Sequence, residues 1–102
     1  MSNELGFSIV VPVSDNHAFE SALFANKNHA HYLAHSVELL INKPVAIVEK
    51  AGTPKYNGDS AIVDFALDSL EENLSDEIVL GAMQIMSERE KQVFLRNAEL
   101  MY

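Results

Sequence analysis

Phe7-Ser-Ile-Val-Val-Pro-Val13 is β-branched and apolar, and Ser14-Asp15-Asn16 closes it with three turn-forming residues. The apolar stretch predicts a β-strand, with Pro12 placing its far end at a sheet edge or at the strand terminus. Asp15 or Asn16 then has the chemistry of a helix N-cap, a short side-chain oxygen that accepts from a first-turn N–H. The helix started there runs to Ile41, with a weak point at Asn26-Lys27-Asn28, because Asn favours caps and turns over helix interiors. Lys43-Pro44 ends it, since proline disfavours helix in the residue before it.

Working outward, Ala30, Leu33, Ala34, Val37, Leu40 and Ile41 share one face of that helix and form its core stripe. Val45-Ala-Ile-Val48 predicts a second strand, apolar enough to be buried on both faces. Ala51 to Gly58 carries two Gly and a Pro and reads as a loop. Asp59 or Ser60 caps the next helix, whose core stripe is Ile62, Val63, Ala66, Leu67, Leu70 and Leu74. Ser75 reads as a further N-cap, followed by Asp76 and Glu77, whose charges suit the positive end of a helix dipole. The segment Ile78 to Met86 is interrupted only by Gly81 and Gln84, which predicts the most buried helix. Ser87-Glu-Arg-Glu90 has capping-box spacing and starts a last helix, Glu88 to Met101.

The expected fold is therefore a small α+β single domain covering residues 1–102: strand-helix-strand, then two or three amphipathic helices. Two strands make a poor sheet. Either a strand hides elsewhere, with residues 49–57 the favoured place, or a second subunit completes the sheet. Tyr32, Leu39 and Phe65 fall on otherwise polar faces and add to the expectation of self-association as a homodimer.

Composition narrows the function. The 102 residues include no Cys, which excludes disulfide scaffolds, thiolate zinc sites and cysteine nucleophiles. No apolar run approaches the roughly 20 residues of a membrane-spanning helix, and Met1-Ser-Asn-Glu-Leu5 lacks the features of a signal peptide. The expected setting is cytoplasmic, with no membrane partner. Net charge is −8, and residues 58–102 carry ten acids against three bases. A surface of that sign repels phosphate backbones, so direct nucleic-acid binding is not expected. A basic protein partner suits it better.

Three residue patterns invite chemistry. In His29-Ala-His31-Tyr-Leu-Ala-His35, His31 and His35 lie four apart, and Glu38 follows three later. On a helix these three share a face, and imidazoles at that spacing can hold one divalent metal ion. If Tyr32 and Leu39 formed a dimer contact, His31 and His35 would flank it. Gly52-Thr-Pro-Lys-Tyr-Asn-Gly58-Asp-Ser60 sits where a phosphate loop would sit, but Asp59 stands where that loop needs Lys. The third pattern is Asp64, Asp68, Glu71 and Glu72 on one helix face, a carboxylate row that could meet a basic partner or imitate a phosphate row.

The leading expectation is a non-enzymatic protein–protein interaction module, homodimeric and needing no cofactor, with Tyr32, Leu39 and the four acids as partner-binding residues. A metal-binding protein or small metal-dependent enzyme using His31, His35 and Glu38 is the alternative. An acidic DNA-mimic inhibitor of a DNA-binding protein is the third.

Overall fold

A computed structural model describes residues 4–100. Strand β1 (Leu5–Ser14) is followed by β2 (His17–Glu20), helix α1 (Lys27–Ile41) and strand β3 (Ala46–Ala51). A 3₁₀ turn (Gly58–Ser60) then leads into α2 (Ala61–Glu71), α3 (Asp76–Gln84) and α4 (Glu88–Glu99). The three strands form one antiparallel sheet in the order β2-β1-β3. The small α+β class stands.

The chain departs from the sequence reading at Asp15-Asn16. These residues cap no helix; they turn β1 back into a hairpin in which Ser14 faces His17. Neither takes a positive φ. Instead the register slips between Pro12 and Ser14, and Val13 is the extra residue of a bulge. The missing strand is therefore β2, not a segment within 49–57. Beyond it the chain stays extended along β1: Phe7 and Phe24 exchange both backbone hydrogen bonds, at 2.9 and 2.8 Å. Pairing with β1 satisfies these backbone groups inside the fold, and that outweighs the weak helical pattern of residues 17–25.

Pro12 sits in the central strand without cost. Phe7 and Ile9 direct their backbone groups toward the β2 side, so Pro12, of opposite parity, turns toward β3. There the ladder has already ended at Val10–Ala46. Ser8 and Ser21 fasten the sheet internally: the Ser8 hydroxyl donates to the Ser21 carbonyl at 2.6 Å, and the Ile9 N–H donates to Ser21 Oγ at 2.9 Å.

Asn26 is the true start of α1. Its side chain accepts from the Asn28 N–H at 2.8 Å, so the expected weak point is the cap itself. Asn42 ends the helix at φ 56°, a left-handed C-cap whose N–H donates to the Glu38 carbonyl. Ala30, Leu33, Ala34 and Val37 are buried as expected, whereas Leu40 is exposed and Ile41 only partly buried. Strand β3 is an edge strand with no fully buried residue, contrary to burial on both faces.

Helix α2 buries a different arc from the expected one: Ala61, Ile62, Val63, Phe65, Ala66 and Ser69 are buried, whereas Leu67, Leu70 and Leu74 of the expected stripe are only partly so. Phe65 is 1% exposed and packs against Phe19, Phe24 and Tyr56. It belongs to the core, not to a spare apolar stripe, because α2 is covered by the aromatic layer on one side and by α3 and α4 on others. In α3, Ile78, Val79 and Ala82 are buried, but Leu80 is 49% exposed. Gly81 is buried rather than a break in the apolar surface. The capping box of α4 forms as its spacing implies, with Ser87 and Glu90 each accepting from the other's backbone N–H.

Candidate functional site

Helix α1 and helix α3 run past each other in opposite directions, with the α1 end residues Leu40 and Ile41 beside the α3 start at Ser75 and Glu77. They are joined at Gly81, whose carbonyl accepts from the buried Ser36 hydroxyl at 2.7 Å. Tyr32 lies one turn before Ser36 and Leu39 one turn after it, so both border this seam on the solvent side. Tyr32 is 61% exposed and Leu39 69% exposed. On α3, Glu77 and Gln84 lie one turn to either side of Gly81, and Leu80 is 49% exposed.

His31 and His35 are exposed on α1. Glu38 does not join them at a common point: its Oε1 accepts from the Val45 N–H at 2.9 Å, tying the end of α1 to the chain entering β3. Among the described residues, no group of three or more His, Asp or Glu is placed to hold a metal ion.

The carboxylate row on α2 is likewise divided. Asp68 Oδ2 accepts from the Tyr56 hydroxyl at 2.7 Å and pairs with the Lys55 ammonium at 2.8 Å. Asp64 accepts from the Ser60 hydroxyl at 3.0 Å, while Glu71 and Glu72 are exposed. No feature of the sequence placed Lys55 and Tyr56 beside Asp68; the loop that carries them is held by Leu23, whose carbonyl accepts from both their N–H groups at 3.0 Å. Burial first, and the Asp68 hydrogen bond second, push the Tyr56 phenol well above its ordinary value. The hydrogen bond to Asp68, reinforced by its charge, raises Lys55 as well.

A group with a raised folded-state pKa stabilises the fold fully below its unfolded value, and that stability is lost as pH rises through the folded value. For tyrosine the loss begins near pH 10. Urea unfolding from about pH 8 to 12 should therefore show the midpoint falling steeply above pH 10. Tyr56→Phe should start lower at neutral pH and fall less steeply; equal slopes would remove Tyr56 as the cause.

One further feature escaped sequence reasoning. His29, in the first turn of α1, borders two shallow depressions of ≈ 330 and ≈ 620 Å³, the first shared with Tyr32, Ile62, Ile85 and Glu90. Ser60, Ser87, Arg89 and Asp59 border the second. Its Nδ1 is buried without a hydrogen-bond partner. Ser60 donates to Asp64, and Ser87 Oγ accepts from the Glu90 N–H in the α4 capping box. The signal available in sequence was only that His29 lies on the opposite side of the helix from His31.

No family model matches the chain, and no curated protein or solved structure matches it. The described residues contain no helix long and apolar enough to cross a membrane. The functional reading therefore rests on the residues themselves, and the outer face of α1 and α3 is the surface with the most to recommend it.

Proposed function

We propose that this chain is a non-enzymatic protein–protein interaction module that acts by occupying another protein through the outer face of α1 and α3. The observation that carries the reading is the exposure of Tyr32 and Leu39 at 61% and 69%, one turn to either side of Ser36 on α1. Covering a side chain of that kind is worth about 1.5–3 kcal/mol before the costs of association. An exposed aromatic with apolar neighbours is the usual form of an interface anchor. The acidic surface of α2 lies elsewhere on the molecule and serves solubility and the steering of a basic rim on the partner. The setting that suits such a cysteine-free chain is the cytoplasm, with no cofactor required.

The test is capture from a lysate of the source organism by the tagged chain, compared with a Tyr32→Ser/Leu39→Ser double variant. The wild type should retain a defined protein through a salt wash, because an apolar contact is not screened. The double variant should lose it by tenfold or more while keeping its melting temperature, as surface changes usually leave stability within about 0.5 kcal/mol. Equal capture by both forms would overturn the reading.

A further inference from the structure

We propose that His31 and His35 form a two-imidazole chelate on the surface of α1 that binds one late first-row divalent ion, copper(II) most tightly, with water filling the remaining positions. The proposal stands on α1 alone and is independent of the reading of Tyr32 and Leu39 as a protein contact.

Helix geometry is the first argument. Helix α1 runs unbroken from its Asn26 cap to its Asn42 cap, so His31 and His35 lie one turn apart in its interior, clear of the fraying ends. Residues at that spacing have Cβ atoms about 5–6 Å apart, and their side chains lean the same way along the helix. Two nitrogens bound to one ion, each at about 2.0–2.1 Å, stand roughly 3 Å from each other. Rings hinged at that Cβ separation reach the ion by side-chain rotation, with no change in the backbone. The other two histidines offer no such pair. His17 stands exposed on β2, and His29 lies about 160° round the helix from His31, with its Nδ1 buried.

Availability is the second argument. Both residues are exposed, and neither imidazole makes a hydrogen bond or ion pair; His31 meets only the edge of the Tyr32 ring, at 6.5 Å between centroids. Binding a metal therefore breaks no bond within the fold. Glu38 is held at the Val45 N–H, which leaves a pair of nitrogens as the donor set. That set selects the ion. Imidazole suits copper, nickel and zinc, and affinity along the first-row series peaks at copper(II), whereas magnesium and calcium prefer carboxylate and carbonyl oxygen. Lys27, one turn before His31, is the only Lys or Arg of α1, and its ammonium ends a flexible stem that can turn to water. The net charge of −8 draws cations to the molecule as a whole.

Calorimetric titration of the full chain with copper(II) chloride, in a buffer that does not bind metal, is the test. The wild type should take up one ion at this site. His31→Gln and His35→Gln should each weaken uptake by at least about tenfold, the order of loss seen when a metal site is disturbed. His17→Gln should bind as the wild type does, and zinc should bind more weakly than copper. Leu39→His in the His31→Gln background rebuilds a four-residue pair with His35 one turn further on, and should restore most of the affinity. A merely structural effect of the first substitution would not be reversed in this way. Absence of uptake by the wild type overturns the proposal. So does either single variant binding as tightly as wild type, since one imidazole or the chain terminus then holds the ion. Loss of uptake in His17→Gln, or a rebuilt pair that binds no better than His31→Gln alone, overturns it equally.

Discussion

Phe65→Ala should destabilise the fold by about 3–5 kcal/mol, the usual cost of emptying a phenylalanine site in a core. Phe65 is 1% exposed, and its ring centre lies 6.4, 5.7 and 5.8 Å from those of Phe19, Phe24 and Tyr56. These partners come from β2, from the segment after it, and from the loop before α2. One truncation therefore loosens the joint between sheet and helices in three places. Domains of this size hold about 5–15 kcal/mol in total, so the variant should melt more than about 10 °C below wild type. The result also separates two roles. A surface contact residue would leave stability unchanged and weaken association, so a loss under about 1 kcal/mol would contradict the core placement of Phe65. Leu39→Ala is the matched control and should stay within about 0.5 kcal/mol of wild type.

Gly81→Val should cost about 2–4 kcal/mol, by overpacking and by weakening the Ser36 hydrogen bond. A Cβ at position 81 would stand 2.6 Å from Val37 Cγ2 and 3.2 Å from the Val37 backbone N and Cα. Val37 is fully buried, so its side chain has no free space to enter and the helices must separate. Intrinsic propensity pulls the other way, since glycine in a helix is worse than alanine by about 1 kcal/mol. The sign is decided by the contact. A double-mutant cycle between Gly81→Ala and Val37→Ala isolates it: removing the Val37 methyls should relieve the added one, giving a coupling of about 0.5–3 kcal/mol. Additive changes would mean that the two helices tolerate greater spacing than their geometry implies.

The local signals that survived folding are those whose partners lie within a few residues. Ser87 and Glu90 form their capping box because both halves of it belong to one turn. Asn26 was legible as a disturbance of the helix and proved to be its cap. By contrast, Asp15 and Asn16 suit a cap or a turn equally, and Phe24 pairing with Phe7 across the sheet decided between them. Phe65 was misplaced for the same reason: a helical wheel assumes one buried side, whereas α2 is covered on more than one.

The candidate site divides in the same way. The outward position of Tyr32 and Leu39 follows from their spacing against the Ala30, Leu33, Ala34 and Val37 stripe, and the structure leaves both exposed. The partition of the acids did not follow from spacing, since nothing local ties Asp68 to Lys55 and Tyr56. Nor did the sequence say that Glu38 would turn away from His31 and His35 toward the Val45 N–H.

Charge, the lack of cysteine, the α+β class and the α4 capping box were set by the sequence alone, because each depends on composition, on the period of the apolar pattern or on contacts within one turn. Tertiary structure decided the hairpin, the antiparallel pairing of β3 with β1, the burial of Phe65 and the seam at Gly81. Those features depend on which distant segments share a surface, where the gain from burying apolar area and pairing backbone groups outweighs the weak preferences of any single stretch.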